Sequence, residues 1–361
     1  MITKPYINHI DTDYVLAVLQ DLLAIPSPSG FCHEVLLRVE REAAKLGWAV
    51  ERTPKQACII TIPGEEGTGT LALTAHVDTL GAMVRSVKSS GTLRFTPVGG
   101  YDMNSIEGEY CTVHTRSGST YTGTILTTAP FVHVYKNTRD QKREEENLEI
   151  RLDAQVTNKA GVTELGIRNG DYISFDPRTR ILENGYIKSR HLDDKAGVAC
   201  LFGLGELIAR TGNKPHKTLK LIITSYEEVG HGAAYMPSDV GELIAVDMGA
   251  MGDDLSCTEQ DVSICAKDSS GPYDYNMTTR LIRLAERDGL RFAVDIYPQY
   301  GSDASAAMRG GNNLKAALIG PGVHASHSME RTHRDALMNT ISLLAAYVLE
   351  PEDQPEKEPI A

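Results

Sequence analysis

The stretch LKLIITSYEEVGHGA, residues 219–233, joins a buried-strand pattern to two adjacent carboxylates. The apolar run at 219–224 is typical of a strand that is covered on both faces. Neighbouring side chains of a strand point to opposite faces, so Glu227 and Glu228 can converge on one site only where the strand has ended. Gly230 and Gly232 indicate that it ends there. The stretch therefore predicts a strand that presents acidic side chains at its carboxyl end.

Strand and helix patterns alternate in both terminal parts of the chain. Apolar strand patterns lie at residues 58–64, 70–78, 241–249 and 313–320, and helical spacing of apolar residues covers residues 12–25, 32–46, 196–210, 275–289 and 335–350. Such alternation is typical of a largely parallel sheet with helices on both faces. The sequence therefore predicts an α/β fold with a mainly parallel, mixed sheet flanked by helices.

The middle of the chain has a different pattern. Between residues 83 and 186, short strand patterns such as TLRFTPVG (92–99) and TYTGTIL (120–126) alternate with Gly, Asn and Asp turns. This predicts an inserted small β domain, barrel-like in form, within a catalytic domain made of residues 1–82 and 187–361. The charged run at 139–149 is expected to be a solvated loop or helix face, and the tail at 351–361 is expected to be disordered.

Composition limits the classes of partner. The chain has 361 residues and a formal net charge of −12, which argues against nucleic acid or an anionic membrane as a general partner. We find no signal-peptide pattern and no apolar run near the ~18 residues that a membrane span needs. The six cysteines are scattered without a CxxC pair, which favours reduced thiols and a cytoplasmic protein.

Five polar clusters lie at or near predicted strand ends. They are AHVD with His76 and Asp78, HLDDKAG with Asp193 and Asp194, SYEEVG with Glu227 and Glu228, IAVDMG with Asp247, and HASHSMERTH with His324, His327 and His333. Each cluster alone is equally well explained by a helix cap or a polar turn. Sites in open parallel sheets collect at the carboxyl ends of strands, so we expect the clusters to meet in one crevice.

Converging carboxylates imply a bound cation. They would repel one another and raise one another's pKa unless a strong positive charge kept them ionised. Mixed nitrogen and oxygen ligands suit zinc or a similar divalent ion. Two ions about 3.5–4 Å apart can be bridged by one carboxylate and can share a water of lowered pKa. The clusters supply enough ligands for two ions and one further carboxylate to act as a base.

The ordered set PSPSG, AHVDTLG, LDDKAGVA, YEEVG, AVDMG and GSDA, followed by a late histidine, resembles the cytosolic dinuclear aminopeptidases. These are also called tetrahedral or glutamyl aminopeptidases, and some have been labelled cellulase M. The resemblance covers about residues 12–348, including the β insertion. It implies a phosphorylase/hydrolase-like peptidase domain, short peptides as substrates, and subunits that dimerise through the insertion and build a hollow dodecamer.

The resemblance also implies roles for individual residues. The implied metal ligands are His76, Asp193, Glu228, Asp247 and His327. Asp193 would bridge the two ions, with His76 and Asp247 completing one site and Glu228 and His327 the other. Zinc is the expected metal, with cobalt or manganese as alternatives.

Two catalytic roles follow from the same resemblance. Glu227 would act as general base, and Asp78 would accept a hydrogen bond from the His76 ring and so fix its tautomer. Three departures from the family pattern are Lys195 where Arg is usual, His231 where a bulkier residue is usual, and HSME in the late motif. HASHSMERTH looks most like a subgroup associated with the osmoprotectant N-acetylglutaminylglutamine amide. It leaves His324 and His333 as alternatives to His327.

Other functions remain open at this point. A related dinuclear deacylase or carboxypeptidase acting on N-acyl amino acids or dipeptides shares the same motif logic, although its extra domain is expected after the EE motif. A catalytically silent peptide-binding or shell-forming protein would be expected to lack the base or a ligand. A glycosidase needs two carboxyls facing each other across a sugar, which adjacent metal-site residues do not provide.

Overall fold

A computed structural model describes residues 4–65, 67 and 69–351 of the chain. Almost all of the tail that was expected to be disordered, residues 352–361, lies outside the described residues. Short 3-10 helices occupy Tyr6–His9, Met103–Ser105 and Glu145–Asn147. The α-helices of the described part are α1 (Thr12–Ala24), α2 (His33–Lys45), α3 (Lys159–Glu164), α4 (Leu192–Thr211), α5 (Tyr275–Arg287), α6 (Asp303–Arg309) and α7 (Arg334–Leu349).

The strands fall into three sheets. They are β1 (Val50–Arg52), β2 (Cys58–Ile62), β3 (Thr70–His76), β4 (Gly81–Val87), β5 (Leu93–Val98), β6 (Tyr110–His114), β7 (Thr120–Thr127), β8 (Leu148–Leu152), β9 (Tyr172–Phe175), β10 (Arg180–Ile181), β11 (Tyr186–Ser189), β12 (Thr218–Thr224), β13 (Val240–Val246), β14 (Val262–Asp268), β15 (Gly271–Pro272), β16 (Phe292–Ile296), β17 (Lys315–Pro321) and β18 (Glu330–His333).

The large sheet has the order β1-β2-β12-β3-β13-β17-β14-β15, with β16 paired to β14. Its centre, β12, β3, β13 and β17, is parallel, whereas β2 and β14 join that centre in antiparallel fashion. The predicted mainly parallel, mixed sheet is therefore confirmed. The sequence analysis did not predict β14 or β16, and β14 extends the sheet beyond β17.

Two apolar cores cover the two faces of this sheet. On one face, α1, α2, α4, α5 and α7 contribute buried side chains to the larger core. On the other face, the short α6 contributes Ala304 and Ala307 to a smaller core. Among the described residues, one short helix covers this second face, so the loops at the carboxyl ends of the strands stay accessible next to α6.

The insertion is a closed antiparallel barrel with the strand order β4-β5-β8-β7-β6-β9. Its strands run from Gly81 to Phe175 around a core of their own. The barrel-like form predicted from the sequence is confirmed. Strands β10 and β11 lie outside the barrel and form a small sheet with β18. The charged run at 139–149 contains a turn, a short 3-10 helix and the start of β8.

Cysteines and helices give two further observations. All six cysteines are buried free thiols. Among the residues that the structure describes, no helix combines the length and the apolar character needed to cross a membrane.

Candidate active site

The site is assembled at the carboxyl ends of three adjacent parallel strands. β3 ends at His76, and β12 ends beside it at Thr224, three residues before Glu227. β13, on the other side of β3, ends one residue before Asp247. Asp193 comes from the start of α4, and it, His76 and Asp247 are buried with one ligand atom each, all within 4.8 Å of one another. The crevice predicted from strand ends is thus present.

Asp193 lies between the two histidine rings of the site. Its Oδ1 is 3.3 Å from His76 Nε2, and its Oδ2 is 3.4 Å from His327 Nε2. His327 Nε2 is also 3.4 Å from Glu228 Oε2. One carboxylate therefore presents one oxygen to each of two ligand groups, which is the arrangement that a bridging ligand needs.

Burial and mutual repulsion raise the pKa values of three carboxylates of the site, those of Glu227, Glu228 and Asp247. Burial, followed by the charge of Asp193, raises the pKa of Asp247 to about 7 and the pKa of Glu228 well above its usual value. Burial also raises the pKa of Glu227. For Asp193 burial acts in the same direction, but hydrogen bonds from His327 and His76 outweigh it and lower the pKa. Burial opposes protonation of His327, but Asp193 raises its pKa to about 10.

The donor set fits divalent cations. Imidazole and carboxylate groups converge in a buried crevice, and Glu227, Glu228 and Asp247 keep raised pKa values because burial outweighs the charges of the two histidines. Divalent ions would supply that positive charge, and the nitrogen and oxygen ligands match the preferences of zinc and of manganese.

The predicted contact between His76 and Asp78 is different in the structure. The Nδ1 of the His76 ring faces the backbone carbonyl of Asp78 at 2.9 Å, whereas the nearest carboxylate oxygen is 3.6 Å away. A ring N–H donated to that carbonyl still leaves Nε2 facing Asp193. The Asp78 carboxylate instead accepts the backbone N–H groups of Glu227 at 3.1 Å and Glu228 at 3.2 Å, together with the hydroxyl of Ser29. The Asp78 carboxylate therefore holds the backbone of the two glutamates, and the Asp78 carbonyl faces the histidine ring.

Glu227 approaches the same ring nitrogen of His76 as Asp193 does. Its Oε2 lies 3.6 Å from His76 Nε2. A cavity of about 510 Å³ opens in front of it. The cavity is lined by residues of the site, of the loop before α6, of α6 itself and of neighbouring loops. They are Gly100, Asp193, Glu227, Glu228, Gly230, Met248, Gln299, Tyr300, Gly301, Ser302, Ala306, Arg309, Ser326 and His327.

The three histidines of HASHSMERTH have separate surroundings. His324 is exposed, and its backbone pairs with Arg331. The His333 ring is buried and caps α7 by accepting the Asp335 N–H. Only the His327 ring, among these three, is placed beside Asp193 and Glu228. These positions favour His327 as the ligand.

We expect His327→Ala to lower the occupancy of one metal site, whereas His324→Ala and His333→Ala leave the metal content unchanged. His327 is the ring that faces Glu228, so only its loss opens the second ion's ligand set. Metal titration of the three variants at one neutral pH measures this, since imidazole must be deprotonated to bind. A fully loaded His327→Ala protein beside a half-loaded His333→Ala protein would show that the late motif has been aligned wrongly.

The barrel contributes directly to the site. The carbonyl of Gly100, in the loop after β5, accepts a hydrogen bond from His327 Nδ1 at 2.5 Å. Buried Arg190 donates hydrogen bonds to two carbonyls. One belongs to Ser105, which like Gly100 lies between β5 and β6, and the other belongs to Ser328, next to His327. The insertion therefore helps to orient the His327 ring.

Several residues that support the site were given no role in the sequence analysis. Buried Glu330 accepts the backbone N–H of Asp193 at 3.0 Å and that of His327 at 3.2 Å, so it joins two ligand segments. Asp194 accepts the backbone N–H of His76 at 3.1 Å. The doubled aspartate was a visible signal for Asp194, whereas the Gly100 carbonyl has no sequence signal.

Comparisons with known proteins agree with this geometry. A profile of M42 glutamyl aminopeptidase matches residues 57–343. YhfE of Bacillus subtilis (strain 168), which bears an aminopeptidase name, is 47% identical over 339 residues, covering 93% of this chain and 97% of that protein.

Solved structures share the fold. Aminopeptidase APDkam598 from the archaeon Desulfurococcus kamchatkensis has a TM-score of 0.85 at 23% identity, covering 94% of this chain and 96% of that one. The Pyrococcus horikoshii TET1 peptidase, described as able to assemble into a tetrahedron or a large octahedral shell, has a TM-score of 0.81 at 24% identity, covering 93% of this chain and 100% of that one.

The family predicted from the ordered motifs is confirmed by the profile match over most of the chain. The osmoprotectant subgroup stays a prediction, because none of these comparisons addresses it. The chain belongs to the M42 glutamyl aminopeptidase family and is an aminopeptidase.

Proposed function

We propose that this aminopeptidase is metal-dependent and removes N-terminal residues from short peptides with two divalent ions. The observation that carries the proposal is the position of Asp193, with one carboxylate oxygen toward His76 and the other toward His327. His76 and Asp247 would complete one ion's ligand set, and Glu228 and His327 the other's. When bound, the ions would supply a water whose pKa is lowered toward neutrality.

The residues of the chain divide the remaining work. Glu227 takes a proton from the attacking water and passes it to the leaving amine, because its carboxylate faces the cavity beside His76. Asp78 holds the backbone of Glu227 and Glu228, which fixes where both carboxylates point. The His76 tautomer is set by the Asp78 carbonyl.

The family match, and not the charge of the cavity, favours an aminopeptidase. Asp193, Glu227 and Glu228 face the cavity, and Arg309 is the one cation among its described lining residues apart from histidine. Two bound divalent ions would offset the charge of these carboxylates, so the cavity alone does not select the protonated α-amino group of a peptide. The relatives support an aminopeptidase over the related deacylase or carboxypeptidase, whose substrates present a carboxylate.

A substrate panel tests the proposal. Aminoacyl chromogenic substrates should be hydrolysed after loading with zinc, cobalt or manganese, and chelated protein should be inactive. Matched N-acetylated substrates are the control, because they keep the scissile bond but lack the charged amine. Hydrolysis of N-acyl amino acids with no hydrolysis of free-amine substrates would favour the deacylase instead. The same panel ranks the metals, among which we propose zinc.

We also propose the cytoplasm as the place of action, since the six buried free thiols suit a reducing compartment. We assign catalysis to residues 1–82 and 187–361, and assembly and access to residues 83–186. The barrel contributes to this second role through an exposed apolar segment, with Phe131, Val132, Val134 and Tyr135 each at least 39% exposed. Clustered apolar side chains of this kind mark interaction surfaces.

We expect the chain to form a dodecamer, as described for the solved structure of PhTET1-12s. We expect Val134→Asp to reduce the assembled mass. Val134 is 63% exposed in the apolar segment, so a buried charge there would weaken a subunit contact. Light scattering after size-exclusion chromatography measures the mass. Tyr275→Ser is the control, because Tyr275 is 80% exposed but lies on α5 of the catalytic part. A monomeric parent protein would contradict the assembly proposal without touching the peptidase proposal.

A further inference from the structure

One segment, residues 224–233, carries both glutamates of the site. It starts at the last residue of β12 and closes on itself through two backbone hydrogen bonds, from Gly230 N–H to the Glu227 carbonyl and from His231 N–H to the Tyr226 carbonyl. A loop of this length has no regular structure to fix it. Its position relative to the cavity is set by β12 at one end, by the bond from the Ser225 hydroxyl to the Lys55 carbonyl, and by side chains outside the segment.

Asp303 holds both ends of this segment. Its Oδ2 accepts the hydroxyl of Thr224 at 2.5 Å, and its Oδ1 accepts the backbone N–H of Ala233 at 2.8 Å. Asp303 is 2% exposed, so both bonds are shielded from water. Gly232 makes the approach possible, since a Cβ at that position would lie 2.3 Å from Asp303 Oδ1.

Asp303 also belongs to α6, a helix that forms part of the cavity wall. It is the first residue of α6, directly after Gly301 and Ser302, and α6 also carries Ala306 and Arg309, all of which line the cavity. Asp303 therefore joins the wall against which a substrate would rest to the segment that carries Glu227.

A simpler interpretation is that Asp303 only stabilises the start of α6 through the helix dipole. The capping of α6 is already provided by Ser302, whose side chain accepts a helix N–H in a capping box with Ser305. Both Asp303 oxygens instead accept donors from residues 224–233. The bonds point away from the helix, which favours a role in the site.

We propose that Asp303 is a positioning residue that fixes the distance between the Glu227 carboxylate and the cavity wall formed by residues 299–302 and α6. Asp78 holds the middle of the segment through the amides of Glu227 and Glu228, and Asp303 holds its two ends. A displacement near 1 Å of a catalytic group can cost about 10²-fold in rate. The kinetic part of this inference rests on the proposed peptidase function.

Three variants define the expected kinetics. Asp303→Ala should lower kcat about 10²-fold at full metal loading, with KM changed by less than about threefold, because the base is misplaced rather than lost. The kcat of Asp303→Asn should lie within about tenfold of the parent value, since the asparagine side chain can accept from the Ala233 N–H and donate to the Thr224 hydroxyl. Thr224→Val removes one of the two hydrogen bonds to Asp303. The decrease in kcat that it causes should not add to the decrease caused by Asp303→Ala in a double variant.

Hydrogen exchange of the metal-free protein gives a readout that needs no activity. In Asp303→Ala, exchange should accelerate at the amides of residues 224–233, including Ala233, and stay unchanged in the barrel. Asp295→Ala is the matched control. Asp295 is also buried and accepts the N–H groups of Ser256 and Cys257, which do not line the cavity. Asp295→Ala should accelerate exchange around Ser256 and Cys257 and leave kcat unchanged.

Two results would overturn the inference. One is unchanged exchange at residues 224–233 in Asp303→Ala. The other is a loss of kcat that disappears once the folded, fully metal-loaded fraction is counted, or that Asp295→Ala reproduces. A parent protein that hydrolyses no aminoacyl substrate would instead refute the proposed function, and the exchange measurement would still decide whether Asp303 positions the segment.

Discussion

Replacing Glu227 by glutamine is expected to keep the metal ions bound and to remove nearly all turnover. The carboxylate is proposed as the base, and proton transfer by such a group is worth about 10²–10⁴-fold in rate. That range corresponds to roughly 3–5 kcal/mol of transition-state stabilisation. The backbone of Glu227 is held by Asp78 independently of its side chain, so the segment should stay in place. Metal content by elemental analysis and kcat on an aminoacyl substrate measure the two effects.

The neighbouring residue provides the matched control. Glu228→Gln changes the same chemical group one position later, but it removes a proposed ligand whose Oε2 lies 3.4 Å from His327 Nε2. We expect this variant to lose occupancy of one metal site together with activity. If Glu227→Gln lost metal in the same proportion as Glu228→Gln, the roles of base and ligand would be wrongly divided.

Replacing Asp193 by alanine is expected to empty both metal sites together. Its two oxygens face His76 and His327, so both ligand sets lose a member and the negative charge between two dications disappears. Two metal equivalents per chain should fall toward none, with activity lost to the same extent. Titration with zinc, followed by elemental analysis after gel filtration, measures the stoichiometry.

Asp247→Ala separates bridging from ordinary ligation. Asp247 lies with His76 and Asp193 in one cluster, so its loss should weaken the ion on the His76 side and spare the ion near Glu228. One tightly bound equivalent and residual activity in Asp193→Ala would mean that Asp193 is not the bridge. Similar metal loss in the two variants would lead to the same conclusion.

Local sequence patterns predicted the parts of the site that lie at strand ends. The apolar runs before His76, Glu227 and Asp247 placed these residues at one edge of the sheet, and the structure shows β12, β3 and β13 side by side. The pattern is informative because parallel strands bring their carboxyl ends together. Strand β14 was missed although its sequence, VSICAKD, places Val, Ile and Ala at every second position. The run is short, and its Ala, Lys and Asp are residue types that strands disfavour.

The supporting contacts could not be predicted in this way. The His76 ring bonds to a backbone carbonyl, and every residue has one, so the sequence carries no signal for that choice. Asp303 accepts hydrogen bonds from Thr224 and Ala233, and Glu330 accepts one from Asp193. These partners are 70 or more positions away along the chain, so only the folded chain brings them near. The family resemblance named His327 as the late ligand, with His324 and His333 as alternatives, and the positions of the three rings favour His327.

The hydrogen bond from His327 to the Gly100 carbonyl bears on how this protein can be engineered. A barrel that appears on a topology diagram as a removable module supplies an atom that sets the ring of a proposed metal ligand. Removing the barrel, or exchanging it for that of a relative, would therefore change the proposed metal site as well as the surface of the protein. Transplants should carry the loop after β5 and the late histidine segment together as one unit.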